Sequence, residues 1–135
     1  MEATGLDIEV LGLEYLNGRT PTAVEVRELC VLALASAGIE HGHMAVEFVD
    51  AERIHELNRE YRGFDKPTDV LSFGIDEDGD PRGPRELGDV VICPEHTVDL
   101  REAVVHGALH LTGMDHEVDD GQMLALQSEL MRWVS

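Results

Sequence analysis

The sequence predicts an α/β fold, a single-domain sandwich spanning residues 1–135 in which a mainly four-stranded mixed β-sheet is packed with about four α-helices. Segments that alternate apolar and polar residues, as half-buried strands do, are separated along the chain by longer segments of helical periodicity. A chain of 135 residues can bury one core without disulfide bonds. No repeat, low-complexity tract or linker divides it, so no second folding unit is expected.

The N-terminal part predicts one strand and one helix. Residues 6–10 alternate between apolar and acidic side chains, which favours a strand. Thr20 followed by Pro21 is typical of an N-cap and a first helical residue. The helix is expected to run to about Ala37, where Gly38 ends it.

The middle of the chain predicts a strand, a helix and two further strands. Residues 44–49 alternate as a second strand does, and Asp50 is expected to cap the helix that follows. Residues 69–75 and 87–93 are the third and fourth predicted strands, joined through an acidic turn at residues 76–81. Three residues of the helix have the spacing of a core-facing stripe: Ile54, Leu57 and Tyr61.

Two helices are predicted in the last third of the chain, at residues 95–111 and 119–133. The first offers five apolar residues to the core: Val98, Ala103, Val105, Ala108 and Leu109. The second carries a stripe that is expected to be core rather than a cofactor or partner groove: Met123, Leu126, Leu130 and Trp133.

The composition is strongly acidic, with 28 Asp and Glu against 10 Lys and Arg and a formal net charge of -18. Nonspecific nucleic-acid binding depends on cationic contacts with phosphates, so this charge argues against a general nucleic-acid binder. The cations are unevenly placed, because Arg53, Arg59, Arg62 and Lys66 fall within one short stretch. A local basic surface on an acidic body is therefore possible.

The two cysteines and the apolar segments indicate where the protein resides. Cys30 and Cys93 are far apart and outside any paired motif, so they do not support a disulfide framework or a cysteine-ligated zinc site. They are expected to be reduced and mostly buried. The apolar run at residues 29–37 is too short to cross a bilayer, and the start lacks a basic leader. We expect a cytoplasmic protein without a membrane partner.

Three histidines near the C-terminus carry the clearest chemical signal. His106 and His110 are four residues apart and therefore project from one face of a helix. Gly113 favours a helix end that returns His116 to the same ion. Three neutral imidazoles fit one Zn²⁺ ion per chain and leave a coordination position open, as catalytic zinc requires. The alternative is three unrelated histidines with ordinary hydrogen bonds.

Gly107 separates this motif from the zinc peptidases with the same histidine spacing. Those enzymes carry a glutamate after the first histidine, which acts as the general base. Glycine cannot accept a proton, so a peptidase is disfavoured. We interpret Gly107 as leaving space beside the metal for a bulky group.

Three blocks of sequence, taken together, resemble the YbeY family of bacterial endoribonucleases, also called rRNA maturation factors. The first block joins Asn58–Arg62 to residues 65–73, the second is residues 87–92, and the third is the histidine segment at residues 106–116. They occur in the family's order and span nearly half of the chain.

The resemblance implies a zinc-dependent, single-strand-specific endoribonuclease. The implied role is maturation of ribosomal RNA, chiefly the 3′ end of the small-subunit RNA, and ribosome quality control. By matching positions, His106, His110 and His116 are the implied metal ligands and Arg62 is the implied functional arginine. The implied partners are single-stranded regions of ribosomal RNA, with a ribosomal protein or assembly factor as a further candidate.

Several alternatives stay open on the sequence. One is a zinc-stabilised ribosome-assembly module with little cleavage activity, and another, less favoured, is a zinc hydrolase on a different substrate. The general base is unassigned among Asp69, Asp89 and Asp115, each of which also suits a turn or cap. Attack by a metal-bound water and attack by the 2′-hydroxyl of the RNA are both compatible with the sequence. Lys66 is expected to be a solvated loop residue.

Overall fold

The computed structural model describes residues 5–75, 85–115, 117 and 119–133, and these residues form one four-stranded sheet. Its strands are β1 (Leu6–Leu11), β2 (Gly42–Phe48), β3 (Val70–Gly74) and β4 (Glu86–Ile92). The spatial order is β1-β2-β4-β3. β1, β2 and β4 run parallel, whereas β3 is antiparallel to β4, so the predicted mixed sheet is confirmed.

The helices of the described residues also agree with the predicted α/β fold. They are α1 (Ala23–Ser36), α2 (Ala51–Arg62), α3 (Leu100–Leu111) and α4 (Gln122–Met131). Short 3-10 turns cover Leu13–Leu16 and Pro94–His96. In the described part of the chain, no helix combines the length and the apolar character that crossing a membrane requires.

Helices cover the two faces of the sheet unequally. Val90 and Ile92 of β4 belong to the larger core, with residues of α1, α3 and α4. The alternate residues Val91 and Cys93 pack with Ile54 of α2 on the opposite face. Successive strand residues point to opposite faces, so β4 contributes side chains to both cores. This arrangement fixes α3 against the sheet and brings the end of α2 near β3.

Two predicted helix starts are corrected by the capping contacts. Thr22, not Thr20, caps α1: its hydroxyl accepts a hydrogen bond from the Glu25 N–H, and the Glu25 carboxylate accepts one from the Thr22 N–H. α3 starts at Leu100 behind the cap residue Asp99, rather than at residue 95. The predicted cap of α2 by Asp50 is confirmed by its 2.8 Å hydrogen bond from the Arg53 N–H.

Three residues expected in the core lie at the surface instead. Tyr61 is 62% exposed, Val98 is 98% exposed and Trp133 is 76% exposed. Val98 precedes α3 and Trp133 follows α4, so neither side chain projects from the helix face that the prediction assumed. The other residues named for the last two helices are buried or partly buried in the larger core. The predicted acidic turn at residues 76–81 lies outside the described residues.

Candidate functional site

Two of the three predicted metal ligands meet on α3. The rings of His106 and His110 lie with their centroids 4.8 Å apart and their planes at 76°. One helical turn separates the residues, which places both rings on the same face. Both side chains are partly buried and line one cleft.

The hydrogen bonds of the two rings indicate which nitrogen of each ring could ligate a metal. Nδ1 of His110 lies 3.0 Å from the carbonyl oxygen of Met114. A carbonyl only accepts, so Nδ1 carries a proton, and in a neutral ring the lone pair is then on Nε2. Nδ1 of His106 lies 2.7 Å from Oε1 of Gln127, which supports the same tautomer. Metal-ligating histidines are oriented by such acceptors, so the pair fits a divalent metal.

His116 lies outside the described residues, so its predicted return to the pair stays a prediction. Among the described residues, no group of three or more His, Cys, Asp or Glu side chains is arranged to hold a metal. His106 and His110 supply two imidazoles, and a catalytic zinc site of the three-histidine type needs a third.

Gly107 faces the sheet, and the interpretation that it leaves space beside the metal is wrong. A Cβ at this position would lie 2.4 Å from Cγ1 of Val90 on β4. The Gly107 carbonyl accepts a 3.1 Å hydrogen bond from the Ser72 hydroxyl of β3. Glycine therefore lets α3 approach the sheet closely, which fixes the height of the histidine pair above it.

The cleft that contains the histidine pair has a volume of about 880 Å³ and an open mouth. Its walls come from β3, α3 and α4, and Arg62 reaches it from the C-terminal end of α2. Arg62 also lines a smaller neighbouring cavity together with His110. The structure thus brings Arg62 and the histidine pair to one surface.

The three candidate general bases are placed differently. Asp69 and Asp115 line the cleft, and Asp89 is not among its lining residues. Oδ1 of Asp69 accepts a 2.8 Å hydrogen bond from the Val70 N–H. Oδ1 of Asp115 accepts a 2.9 Å hydrogen bond from the Glu117 N–H. Both carboxylates thus accept hydrogen bonds from nearby backbone N–H groups, as in the turn role that the sequence also allowed. Both residues line the cleft as well.

Sequence reasoning missed two residues of the cleft. Gln127 was not singled out, although it interrupts the buried side of α4 between Met123 and Leu130. A buried polar residue between core residues needs a hydrogen-bond partner, and this signal could have identified it. His96 is exposed and also lines the cleft, from the 3-10 turn before α3.

The family model and the curated relatives that match this chain share one description. The family described as Endoribonuclease YbeY matches residues 17–135. An Endoribonuclease YbeY of Rubrobacter xylanophilus is 41% identical over 94% of this chain and 95% of its own length. One of Bacillus cytotoxicus is 38% identical over 87% of this chain and 85% of its own. A solution structure from Thermotoga maritima has a TM-score of 0.53 at 28% identity, covering 91% of this chain and 85% of that one.

Proposed function

The chain belongs to the endoribonuclease YbeY family, and from this membership we propose that it is a zinc-dependent, single-strand-specific endoribonuclease of ribosomal RNA maturation. Its substrate is the 3′ end of the small-subunit RNA, and the same activity serves ribosome quality control in the cytoplasm. The family name supports the coarser part, a nuclease that hydrolyses RNA. The zinc dependence and the ribosomal substrate are proposed beyond what that name states.

One observation carries the metal requirement. The two rings of His106 and His110 share one face of α3, and the Nδ1 atoms of both lie against oxygen acceptors. In neutral rings whose Nδ1 atoms donate to these acceptors, the Nε2 atoms are the ones that can ligate a metal, and metal-binding histidines are oriented in this way. His106, His110 and His116 would hold the metal. When bound, zinc supplies a Lewis acid that lowers the pKa of a water ligand and offsets charge on a phosphoryl oxygen.

Arg62 supplies the second part of the mechanism. Its guanidinium offers a planar fork of N–H donors that matches two phosphate oxygens, whereas lysine would act as a point charge. Lining the cleft beside His110, it can hold a phosphodiester and stabilise the negative charge that grows on it during attack. The place of Arg62 beside His110 in the cleft, together with the family membership, supports this role.

The proposal is tested by measuring bound zinc and cleavage of single-stranded RNA in wild type, His110→Ala, Arg62→Ala and Arg62→Lys. His110→Ala should lose both metal and cleavage. Arg62→Ala should keep the metal and lose about 100-fold or more of kcat, as happens when one donor to a developing oxyanion is removed. Arg62→Lys should recover only part of this loss.

The acidic surface favours one other candidate, a zinc-stabilised ribosome-assembly module. Such a protein would reach RNA through a ribosomal protein or assembly factor rather than by electrostatic capture. It predicts zinc-dependent stability together with cleavage that none of the variants changes. That combination of results would overturn the nuclease proposal.

A further inference from the structure

Phe64 is an exposed aromatic residue beside the cleft and takes no part in either core. Half of its surface is exposed to solvent. We propose that the Phe64 ring is a stacking platform for an unpaired base of the RNA, with Arg62 and Lys66 binding the phosphates on either side. The inference rests on the proposed function and deepens it, because it assigns a site for the single strand outside the metal centre.

Two cations accompany the ring. The guanidinium carbon of Arg62 lies 5.7 Å from the ring centroid, and Nζ of Lys66 lies 5.9 Å from it. Both distances are within the range of cation–π attraction. Both cations lie over the ring, so a base that stacks on Phe64 would displace a cation from the ring face toward a neighbouring phosphate. An aromatic ring combined with cations is the arrangement with which proteins bind single strands of any sequence.

The loop that carries Phe64 is held in one conformation. Gly63 ends α2 with a positive φ of 77°, which redirects the chain out of the helix. The Phe64 N–H then donates to the carbonyl of Asn58, and the Lys66 N–H donates to the carbonyl of Phe64 at 2.9 Å. Asn58 is only 3% exposed, and its amide donates a 2.9 Å hydrogen bond to the Lys66 carbonyl. Because the backbone that carries the ring is fixed in this way, the loop loses little entropy on binding a base.

Arg62 connects this ring to the reaction site. Its side chain lies against Phe64 and also lines the cleft that contains His106 and His110. A strand whose base stacks on Phe64 would therefore present an adjoining phosphate to Arg62. Stacking does not depend on charge, so it adds affinity where a net charge of -18 repels the RNA backbone as a whole.

The site is tested by fluorescence anisotropy with the zinc-loaded protein and a short labelled single-stranded RNA, and electrophoresis of each sample checks that the probe is intact when it is read. Phe64→Leu keeps an apolar side chain but removes the aromatic face, and Phe64→Tyr keeps the face. Tyr15→Leu is the matched control, because Tyr15 is also exposed, at 41%, and lines neither cavity.

We expect Phe64→Leu to weaken binding about 10-fold, and Phe64→Tyr and Tyr15→Leu to bind as wild type does. An abasic strand of equal length should bind wild type and Phe64→Leu alike. If wild type binds the RNA and Phe64→Leu binds it equally well, the stacking site is refuted while the nuclease proposal stands. If wild type neither binds nor cleaves single-stranded RNA, both proposals fail.

Discussion

At the scale of single residues, the fit between Gly107 and Val90 decides how closely α3 can lie on the sheet. A Cβ on Gly107 would meet Cγ1 of Val90 at 2.4 Å and Cγ2 at 3.0 Å. Both residues are buried, so neither can move into solvent. Glycine costs up to about 1 kcal/mol in a helix interior relative to alanine, and the close packing offsets this cost.

Gly107→Ala is therefore expected to lower the free energy of unfolding by about 1–3 kcal/mol, because overpacking outweighs the gain in helix propensity. Val90→Ala creates space at the same contact and is the partner in a double-mutant cycle. The double variant should lose less free energy of unfolding than the sum of the losses of the two single variants. Urea unfolding of all four proteins measures these free energies. A Gly107→Ala protein as stable as wild type would show that α3 does not depend on this contact.

At the scale of elements, α4 orients a ligand that α3 carries. Gln127 of α4 is 8% exposed, and its Oε1 lies 2.7 Å from Nδ1 of His106. Such an acceptor fixes the ring and raises the basicity of the other nitrogen. The last helix therefore belongs to the proposed metal centre although it supplies no ligand of its own.

Gln127→Leu keeps the approximate size of the side chain and removes the acceptor, so zinc affinity should fall about 10- to 100-fold. Gln127→Glu keeps an oxygen acceptor and should bind zinc nearly as wild type does. Competition with a chromogenic chelator measures these affinities. Equal affinity of wild type and Gln127→Leu would remove α4 from the metal centre.

His43 links three strands at the other end of the sheet. Its Nδ1 lies 2.9 Å from Oε2 of Glu86 on β4, and its Nε2 lies 3.6 Å from Oε1 of Glu9 on β1. The hydrogen bond to Glu86 raises the pKa of His43 above its usual 6.5, partial burial opposes this, and nearby Asp7 and Glu9 add to the increase. The imidazolium donates a hydrogen bond to Glu86 and forms a longer ion pair with Glu9.

The pKa of His43 is higher in the folded protein than in the unfolded chain. Its contribution to stability is therefore complete below the unfolded pKa and is lost as the pH rises through the folded pKa. His43→Gln should therefore destabilise the protein by about 0.5–1 kcal/mol in mildly acidic buffer and by less in alkaline buffer. His41→Gln, at a nearby exposed position, is the control. A loss of stability in His43→Gln that does not change with pH would contradict the assignment.

The elements were largely predictable, whereas their starts and some core faces depended on distant contacts. Residues 95–99 have the sequence pattern of a helix. In the structure, the Arg19 guanidinium donates hydrogen bonds to the carbonyl oxygens of Pro94 at 2.8 Å and Thr97 at 3.1 Å. A partner about 75 positions away cannot be read from local periodicity. The same holds for Gly107, since its neighbour Val90 is set by the packing of α3 on β4. The histidine spacing, by contrast, is local and identified the pair without tertiary information.

At the scale of the whole molecule, the cations of this acidic chain are concentrated in one stretch that includes the proposed RNA-binding residues. The formal net charge is -18, yet four of the ten cations fall within residues 53–66. Two of these, Arg62 and Lys66, flank the Phe64 ring. Few phosphate contacts are then available, so affinity should depend less on salt than in a basic RNA-binding protein.

The logarithm of affinity for single-stranded RNA should fall with the logarithm of salt concentration with a slope of about -0.7 per phosphate contact. Lys66→Gln should make this slope shallower by about 0.7. Arg132→Gln, which changes charge outside the cleft, should leave it unchanged. A steep slope that Lys66→Gln does not alter would place the RNA elsewhere on the surface.

The central claim is that His106, His110 and His116 hold one metal ion with a coordination position left open. Anomalous diffraction from a crystal grown with zinc tests it most directly. The account predicts one peak per chain, about 2.0–2.1 Å from Nε2 of His106 and of His110, with His116 as the third protein ligand and solvent at the remaining position. A peak away from this pair, or a fourth protein ligand that closes the site, would contradict the account.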